Sequence, residues 1–260
     1  MFDSRKVEPM TKVKRIPLME MFGPTIQGEG AVCGQQTYFL RFGLCDYKCK
    51  MCDSMHAVDP TSVRENGRML TQDEIAHEFH AFHRPNSTRW VTLSGGNPCI
   101  HDLSILMLEL KTHGFKIALE TQGTLWKPWV GACDIITVSP KGPGMGEDCD
   151  IEVLDQFLAK SMGFLDRINL KVVIFDERDL EFARMIHERY AGLKVPFYLS
   201  LGNDYPPGKE NPHMDYTGLV MYMIGKYKQL FEQFQCDPIL SQMRFLPQLH
   251  ALFWGNEKGK

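Results

Sequence analysis

Apolar runs five to eight residues long alternate along the chain with segments whose apolar positions recur every three or four residues. The first such run, T-Y-F-L-R-F at 37–42, reads as a strand. A loop bearing cysteines follows, and Thr71 and Glu74 then stand at capping-box spacing and open a helix. The next strand, 89–93, breaks at Ser94-Gly95-Gly96, and Leu103, Leu106, Met107 and Leu110 mark one face of a helix. Strands at 115–119 and 134–138 end in Glu120-Thr121-Gln122-Gly123 and Ser139-Pro140-Lys141. A β-branched run at 168–175 leads into a helix capped by Asp176 and Asp179 that reaches about Tyr190. After a strand at 195–201 comes an irregular Pro/Gly stretch, 202–212. An amphipathic helix through Val220, Met223, Ile224, Tyr227, Leu230, Phe231 and Phe234 follows, and 242–246 reads as a short last strand.

Strands alternating with helices predict parallel neighbours, because parallel pairing requires a long crossover. About six units fall short of a closed eight-fold barrel. The expected fold is therefore α/β, an open partial (β/α)6 barrel of parallel strands with its site at the C-terminal strand ends. The polar clusters named above all fall at those ends.

The 260 residues fit one domain, 1–260, large enough to bury a core without staples. A net charge of −3, with both signs mixed throughout, gives no footprint for nucleic acid or an anionic membrane. Residues 1–9 are charged and lack the apolar centre of a signal peptide. No apolar run approaches the ~18 residues of a membrane span, so a cytoplasmic protein is expected. Of eight cysteines, Cys33, Cys99, Cys133, Cys149 and Cys236 are scattered and read as small buried hydrophobes or inert thiols.

The other three are clustered. Cys45, Cys49 and Cys52 have the spacing C-x3-C-x2-C in a loop after a strand, and three thiolates this close can converge on one metal centre. Closed zinc sites and ferredoxin clusters want a fourth ligand. No fourth cysteine is at metal spacing, although His56 is near enough to serve zinc. With three protein ligands one iron of a 4Fe–4S cluster stays open, free to hold the amino and carboxylate groups of S-adenosylmethionine and pass an electron to its sulfonium. A zinc-stabilised binding module without chemistry is the alternative.

The cysteine spacing, with Gly95-Gly96-Asn97-Pro98 after the next strand, resembles the radical S-adenosylmethionine superfamily. The usual form of the second motif is G-G-E-P, so Asn97 puts an amide where the family has a carboxylate. An amide oxygen still accepts a hydrogen bond from the cofactor's amino group, without charge assistance. Met51 stands where an aromatic often precedes the third cysteine. Over nearly the whole chain the resemblance is to the 7-carboxy-7-deazaguanine synthases: in M-F-G-P-T-I-Q-G-E-G at 21–30, in Arg41, in Cys52-Asp53-Ser54, in Ser139-Pro140-Lys141, and in R-F-L-P-Q-L-H at 244–250.

That resemblance implies a 4Fe–4S cluster, S-adenosylmethionine and Mg2+. The expected reaction takes 6-carboxy-5,6,7,8-tetrahydropterin to 7-carboxy-7-deazaguanine through a 5′-deoxyadenosyl radical, with no protein side chain as the catalyst. It places the pterin and its carboxylate on Ile26, Gln27, Gly28, Glu29, Arg41, Ser94, Gln248 and His250, and magnesium on Ser54. It places the cofactor against Met51, Asp53, Gly95, Gly96, Asn97, Glu120, Thr121, Gly123, Ser139, Lys141 and Asn203. Turn chemistry or capping is the plainer reading of several of these, Glu29 included, and His250 reads equally as a satisfied structural residue. His77, His80 and His83 read as a solvated helix face. A flavodoxin or ferredoxin electron donor and a homodimer are implied as partners. The wide apolar stripe at 220–234 is a candidate interface, though covering the core is favoured. A glycyl-radical-activase-like enzyme is the runner-up.

Overall fold

We describe residues 13–257 and 259 in a computed structural model of the chain. The charged start at 1–9 lies outside them. Nine strands form one sheet in the order β3-β1-β2-β4-β5-β6-β7-β8-β9. They are β1 (Ile16–Ile26), β2 (Gln36–Phe42), β3 (Arg68–Leu70), β4 (Trp90–Gly95), β5 (Lys116–Thr121), β6 (Ile135–Val138), β7 (Ile168–Ile174), β8 (Phe197–Leu201) and β9 (Arg244–Leu246). From β2 to β9 the neighbours pair in parallel. β1 is antiparallel to both β2 and β3. With β3 and β9 as its edges the sheet is unclosed, and six crossovers join the seven parallel strands, as the alternation predicts.

The helices are α1 (Met55–Val58), α2 (Pro60–Asn66), α3 (Gln72–Phe82), α4 (Ser104–Thr112), α5 (Ile151–Lys160), α6 (Glu177–Tyr190), α7 (Tyr216–Phe234) and α8 (Leu249–Trp254). Among the described residues, no helix is long and apolar enough to cross a membrane. Both predicted capping boxes are present. Glu74 N donates to Thr71 Oγ1 at 3.1 Å while Thr71 N donates to Glu74 Oε2 at 2.7 Å, and Asp176 and Asp179 repeat the arrangement on α6. Such reciprocal caps satisfy two orphan amides at once.

Every residue of β7 and β8 is buried, as expected of parallel strands covered on both faces. One hydrophobic core runs the width of the sheet, from Ile16 on β1 through Leu119 and Ile136 to Leu230 and Phe234 on α7.

Three expectations need correction. The link from β5 to β6 holds no α-helix, only a 3-10 turn at Pro128–Ala132 that buries Trp129 and Val130. Cys99 and Cys133 are core residues, but Cys236 is exposed. The histidines of α3 are not one solvated face. His77 is exposed, yet His83 stacks near Tyr38 and Phe115 and its Nε2 lies 3.1 Å from Thr88 O.

Candidate active site

The cysteines sit in the loop between β2 and α1, at the C-terminal ends of the strands. The end of β4 holds this loop by its backbone: Gly96 N donates to Phe42 O at 3.0 Å and Asn97 N to Leu44 O at 2.9 Å. Gly95 has φ +134°, and a Cβ there would lie 2.0 Å from Phe42 O. At Gly96 a Cβ would lie 2.0 Å from Leu44 O. Neither position can carry a side chain while the loop is in place. The glycines thus bring protein backbone together as well as facing the cavity.

Asn97 differs from its expected role. It is fully buried and is not part of the cavity wall. Its Nδ2 donates to Asp46 Oδ1 at 2.9 Å and Thr124 Oγ1 at 3.2 Å, and its Oδ1 accepts from Thr121 Oγ1 at 3.0 Å and Cys99 N at 3.2 Å. All its side-chain hydrogen-bonding capacity is used, and the bond to Asp46 ties the cysteine loop to the ends of β4 and β5. Gln122 joins that brace, donating to Asp46 Oδ1 at 2.6 Å and approaching Cys45 Sγ at 3.4 Å. Met51 and Gly123 also lie off the cavity wall. A Cβ on Gly123 would lie 2.7 Å from Val138 and 2.8 Å from Leu154, so this glycine serves core packing.

Cys45, Cys49 and Cys52 all line the cavity. Burial pushes the Cys49 thiol up to about 11 and the Cys52 thiol up to about 12, so metal loading must displace protons. His56 is engaged elsewhere, its Nε2 3.0 Å from Glu20 Oε2. Three thiols on the cavity wall with the histidine paired to Glu20 match a cluster with one open iron better than a closed four-ligand zinc site.

Beyond the cysteines, Arg41 reaches in from β2. Its side chain is 17 % exposed, so it is no solvated surface arginine. Nη1 donates to Ser54 Oγ at 2.7 Å and to Ser94 Oγ at 3.4 Å, and Nε lies 2.6 Å from Glu20 Oε2. The guanidinium also stands over Phe22, which stacks on Phe39. Burial raises the Glu20 carboxyl, but His56 and Arg41 overcome this and hold it below its usual value.

The far wall is a buried charge network. Lys171 of β7 lies 2.8 Å from Glu29 Oε2 and 3.1 Å from Glu120 Oε2. Glu29 Oε1 accepts from Ser200 Oγ at 2.9 Å and Gln248 Nε2 at 2.7 Å. Glu29 makes no capping bond with its side chain; its carboxylate binds the network together. Burial works against its charge, yet Lys171 above all, then His250 and the Gln248 hydrogen bond, hold its carboxyl well below the usual range. Glu120 is raised: burial lifts it, Lys171 pulls it back, and the Glu29 charge lifts it again. Of the two carboxyls, Glu120 takes a proton first. Gln27 Nε2 donates to Glu120 Oε1 at 3.3 Å.

The chain's C-terminal part closes this wall. Leu249 N donates to Gly28 O at 3.2 Å, and a Cβ on Gly28 would lie 2.3 Å from His250 Nδ1. His250 Nε2 faces Asp53 Oδ2 at 3.8 Å. Asn203 lines the cavity, but its amide is committed to Asn256 Oδ1 and Tyr205 N. Lys141 Nζ donates to Ser139 Oγ at 3.1 Å. The remaining expected residues, Ile26, Gly95, Gly96 and Thr121, line the same cavity. Sequence reasoning missed Glu20, Gln122 and Lys171, which line it too.

Part of this cavity's wall, from Arg41 to Lys171, falls in the stretch matched by a family model. Residues 40–192 match the family model for the radical SAM superfamily. A 7-carboxy-7-deazaguanine synthase of Bacillus cereus is 41% identical over 248 residues, 95% of this chain and 100% of that protein. The synthase of Bacillus subtilis strain 168 is 42% identical over 250 residues, 95% of this chain and 99% of its own. Among solved structures, QueE from Escherichia coli superposes with a TM-score of 0.58 at 24% identity, covering 90% of this chain and 94% of that one. A three-cysteine loop after a strand, the glycine bracket beside it and identity from end to end agree: the chain belongs to the radical SAM superfamily and, within it, to the 7-carboxy-7-deazaguanine synthases.

Proposed function

We propose that this chain converts 6-carboxy-5,6,7,8-tetrahydropterin to 7-carboxy-7-deazaguanine with loss of ammonia, a step of queuosine-type 7-deazapurine biosynthesis. The observation that carries this reading is Arg41, sequestered beside Ser54 and Ser94 between the cysteine loop and a buried wall of carboxylates and amides. Cys45, Cys49 and Cys52 would hold the cluster, with Gly95, Gly96, Ser139 and Lys141 on the wall where S-adenosylmethionine fits. When bound, the pair supplies an electron and a hydrogen-abstracting radical.

The protein's own residues place the substrate and keep water from it. The Arg41 fork is suited to a carboxylate held at two oxygens. Ser54 already accepts a hydrogen bond from this arginine, so a magnesium ion there needs added negative charge. Asp53 and the substrate carboxylate would provide it, and a hard ion kept on few protein oxygens fits Mg2+. The ring's polar edge would meet Gln27 and Glu120, whose raised carboxyl is able to bind a proton. Gln248 and His250 cover the opposite side, limiting the water open to attack by a reactive carbon radical. Product is substrate less ammonia, so the overall change consumes no electrons.

The same reading makes the enzyme cytoplasmic, a single domain over 1–260, and served by a flavodoxin or ferredoxin. A homodimer is supported by α7, which buries Leu219, Met223, Leu230 and Phe234 yet leaves Met221, Ile224 and Phe231 exposed.

The test is Arg41→Lys, which keeps the charge and removes the fork. The pterin KM should rise about ten- to a hundredfold, the loss of one or two charge-assisted hydrogen bonds, while cleavage of S-adenosylmethionine uncoupled from product continues. Unchanged turnover would overturn the assignment of Arg41 to the substrate carboxylate.

A further inference from the structure

At the other end of the sheet, three side chains have the composition of a metal centre. Glu109 and His113, four residues apart at the end of α4, share one helix face. His80 meets them from α3. One ligand atom from each, two imidazole nitrogens and a carboxylate oxygen, can be chosen so that all lie within 4.8 Å of one another. His80 Nε2 is 3.4 Å and His113 Nδ1 3.3 Å from Glu109 Oε1, and the two rings stand 4.3 Å apart.

Helix packing alone does not explain this arrangement. His80 Nε2 is buried and has no hydrogen bond of good geometry, its polar neighbour being Glu109 Oε1 at 3.4 Å, and native proteins seldom leave such an atom poorly satisfied. Burial, and next the neighbouring His113, lower the His80 ring below its usual value, while Glu109 works the other way. Nothing in the reaction uses these residues. They lie at the C-terminal ends of their helices and so at the N-terminal ends of the strands, away from the cysteine loop.

We propose that His80, Glu109 and His113 form a zinc(II) site that clamps α3 to α4. Two imidazoles and one carboxylate suit a borderline ion; magnesium and calcium want oxygen ligands throughout, and thiophilic ions want sulfur. Three protein ligands leave the fourth position to water. In tetrahedral zinc the ligand atoms stand roughly 3.3 Å apart, so no separation has to close by more than about 1.5 Å. His113 Nδ1 lies 2.9 Å from Glu109 O, a contact that zinc must displace, and both half-exposed side chains can turn to do so.

The test uses holoenzyme with its iron–sulfur cluster loaded anaerobically, so that Cys45, Cys49 and Cys52 are occupied. Zinc chloride is added, the protein is desalted, and metal content, thermal unfolding and zinc-edge X-ray absorption are measured. One zinc per chain should remain, with a nitrogen/oxygen shell at roughly 2.0–2.1 Å and no sulfur, and the unfolding temperature should rise. Glu109→Gln and His113→Asn should each weaken zinc binding at least tenfold and abolish that rise, leaving iron content and product formation unchanged. Two surface variants keep the test usable if one of them folds poorly. No retained zinc, a sulfur shell, or equal retention by the variants would overturn the site, and none of these results touches the assigned reaction.

Discussion

In β7 every side chain is buried, and the fourth of them is a lysine. Lys171 survives there because Glu29 and Glu120 flank its ammonium at 2.8 and 3.1 Å; a buried charge persists only when paired. Lys171→Met should leave two buried carboxylates facing each other. We expect a loss of roughly 3–5 kcal/mol, the usual cost of breaking a buried pair, and an unfolding temperature lowered by at least roughly 6 °C. A thermal melt matching the wild type would show that the lysine does not hold the wall together. This residue was within reach of the sequence. In I-N-L-K-V-V-I the lysine interrupts an apolar run, and a strand buried on both faces demands a partner for it, but the run alone does not say which carboxylates come to meet it. Arg41 was easier, since its neighbours Phe39, Leu40 and Phe42 already place it in a buried strand. Glu29 was found with a different role: the sequence shows a carboxylate in a turn and cannot show that Lys171, Ser200 and Gln248 occupy it.

The bracket between β4 and the cysteine loop sets the geometry on which iron loading depends. Gly96→Ala would drive a Cβ to within 2.0 Å of Leu44 O, and because that atom is backbone, the loop itself must move. We expect reconstituted protein with native-like circular dichroism but less than roughly half the iron of the wild type, because misplaced thiolates bind metal poorly. Full iron loading would show that the loop tolerates the displacement. Glycines at 95 and 96 were legible as a motif; their packing against Phe42 and Leu44 was not. Asn97 shows the same limit, since its burial behind the loop depends on where Asp46 and Thr124 come to lie. Among the elements, capping boxes and period-2 or period-3.6 runs are enough to reveal β2, β4 to β9, α3, α4, α6 and α7. β1 escaped because Pro17, Gly23 and Pro24 interrupt it and its register shifts twice against β2, so no clean alternation survives. With β1 went Glu20, the partner of Arg41.

Over the whole molecule, the parallel order from β2 to β9 brings loops from distant parts of the chain to one rim. β1 adds Glu20, Phe22 and Ile26 from one side, while α8 returns His250 to Gly28 from the other. Strand–helix alternation was enough to predict the open barrel and the end at which its site lies, because crossover length and handedness leave few topologies. It could not predict that the chain's first and last elements meet across the cavity, which depends on long-range packing. The cysteine loop, the Arg41 pocket and the lysine-centred wall form a single cavity, and the account holds that this cavity makes a deazapurine. The most direct test is anaerobic reconstitution followed by incubation with dithionite, S-adenosylmethionine, magnesium and 6-carboxytetrahydropterin, with products read by mass spectrometry. The expected products are 7-carboxy-7-deazaguanine and ammonia; 5′-deoxyadenosine formed without that deazapurine, or neither compound, would overturn the assignment of this cavity.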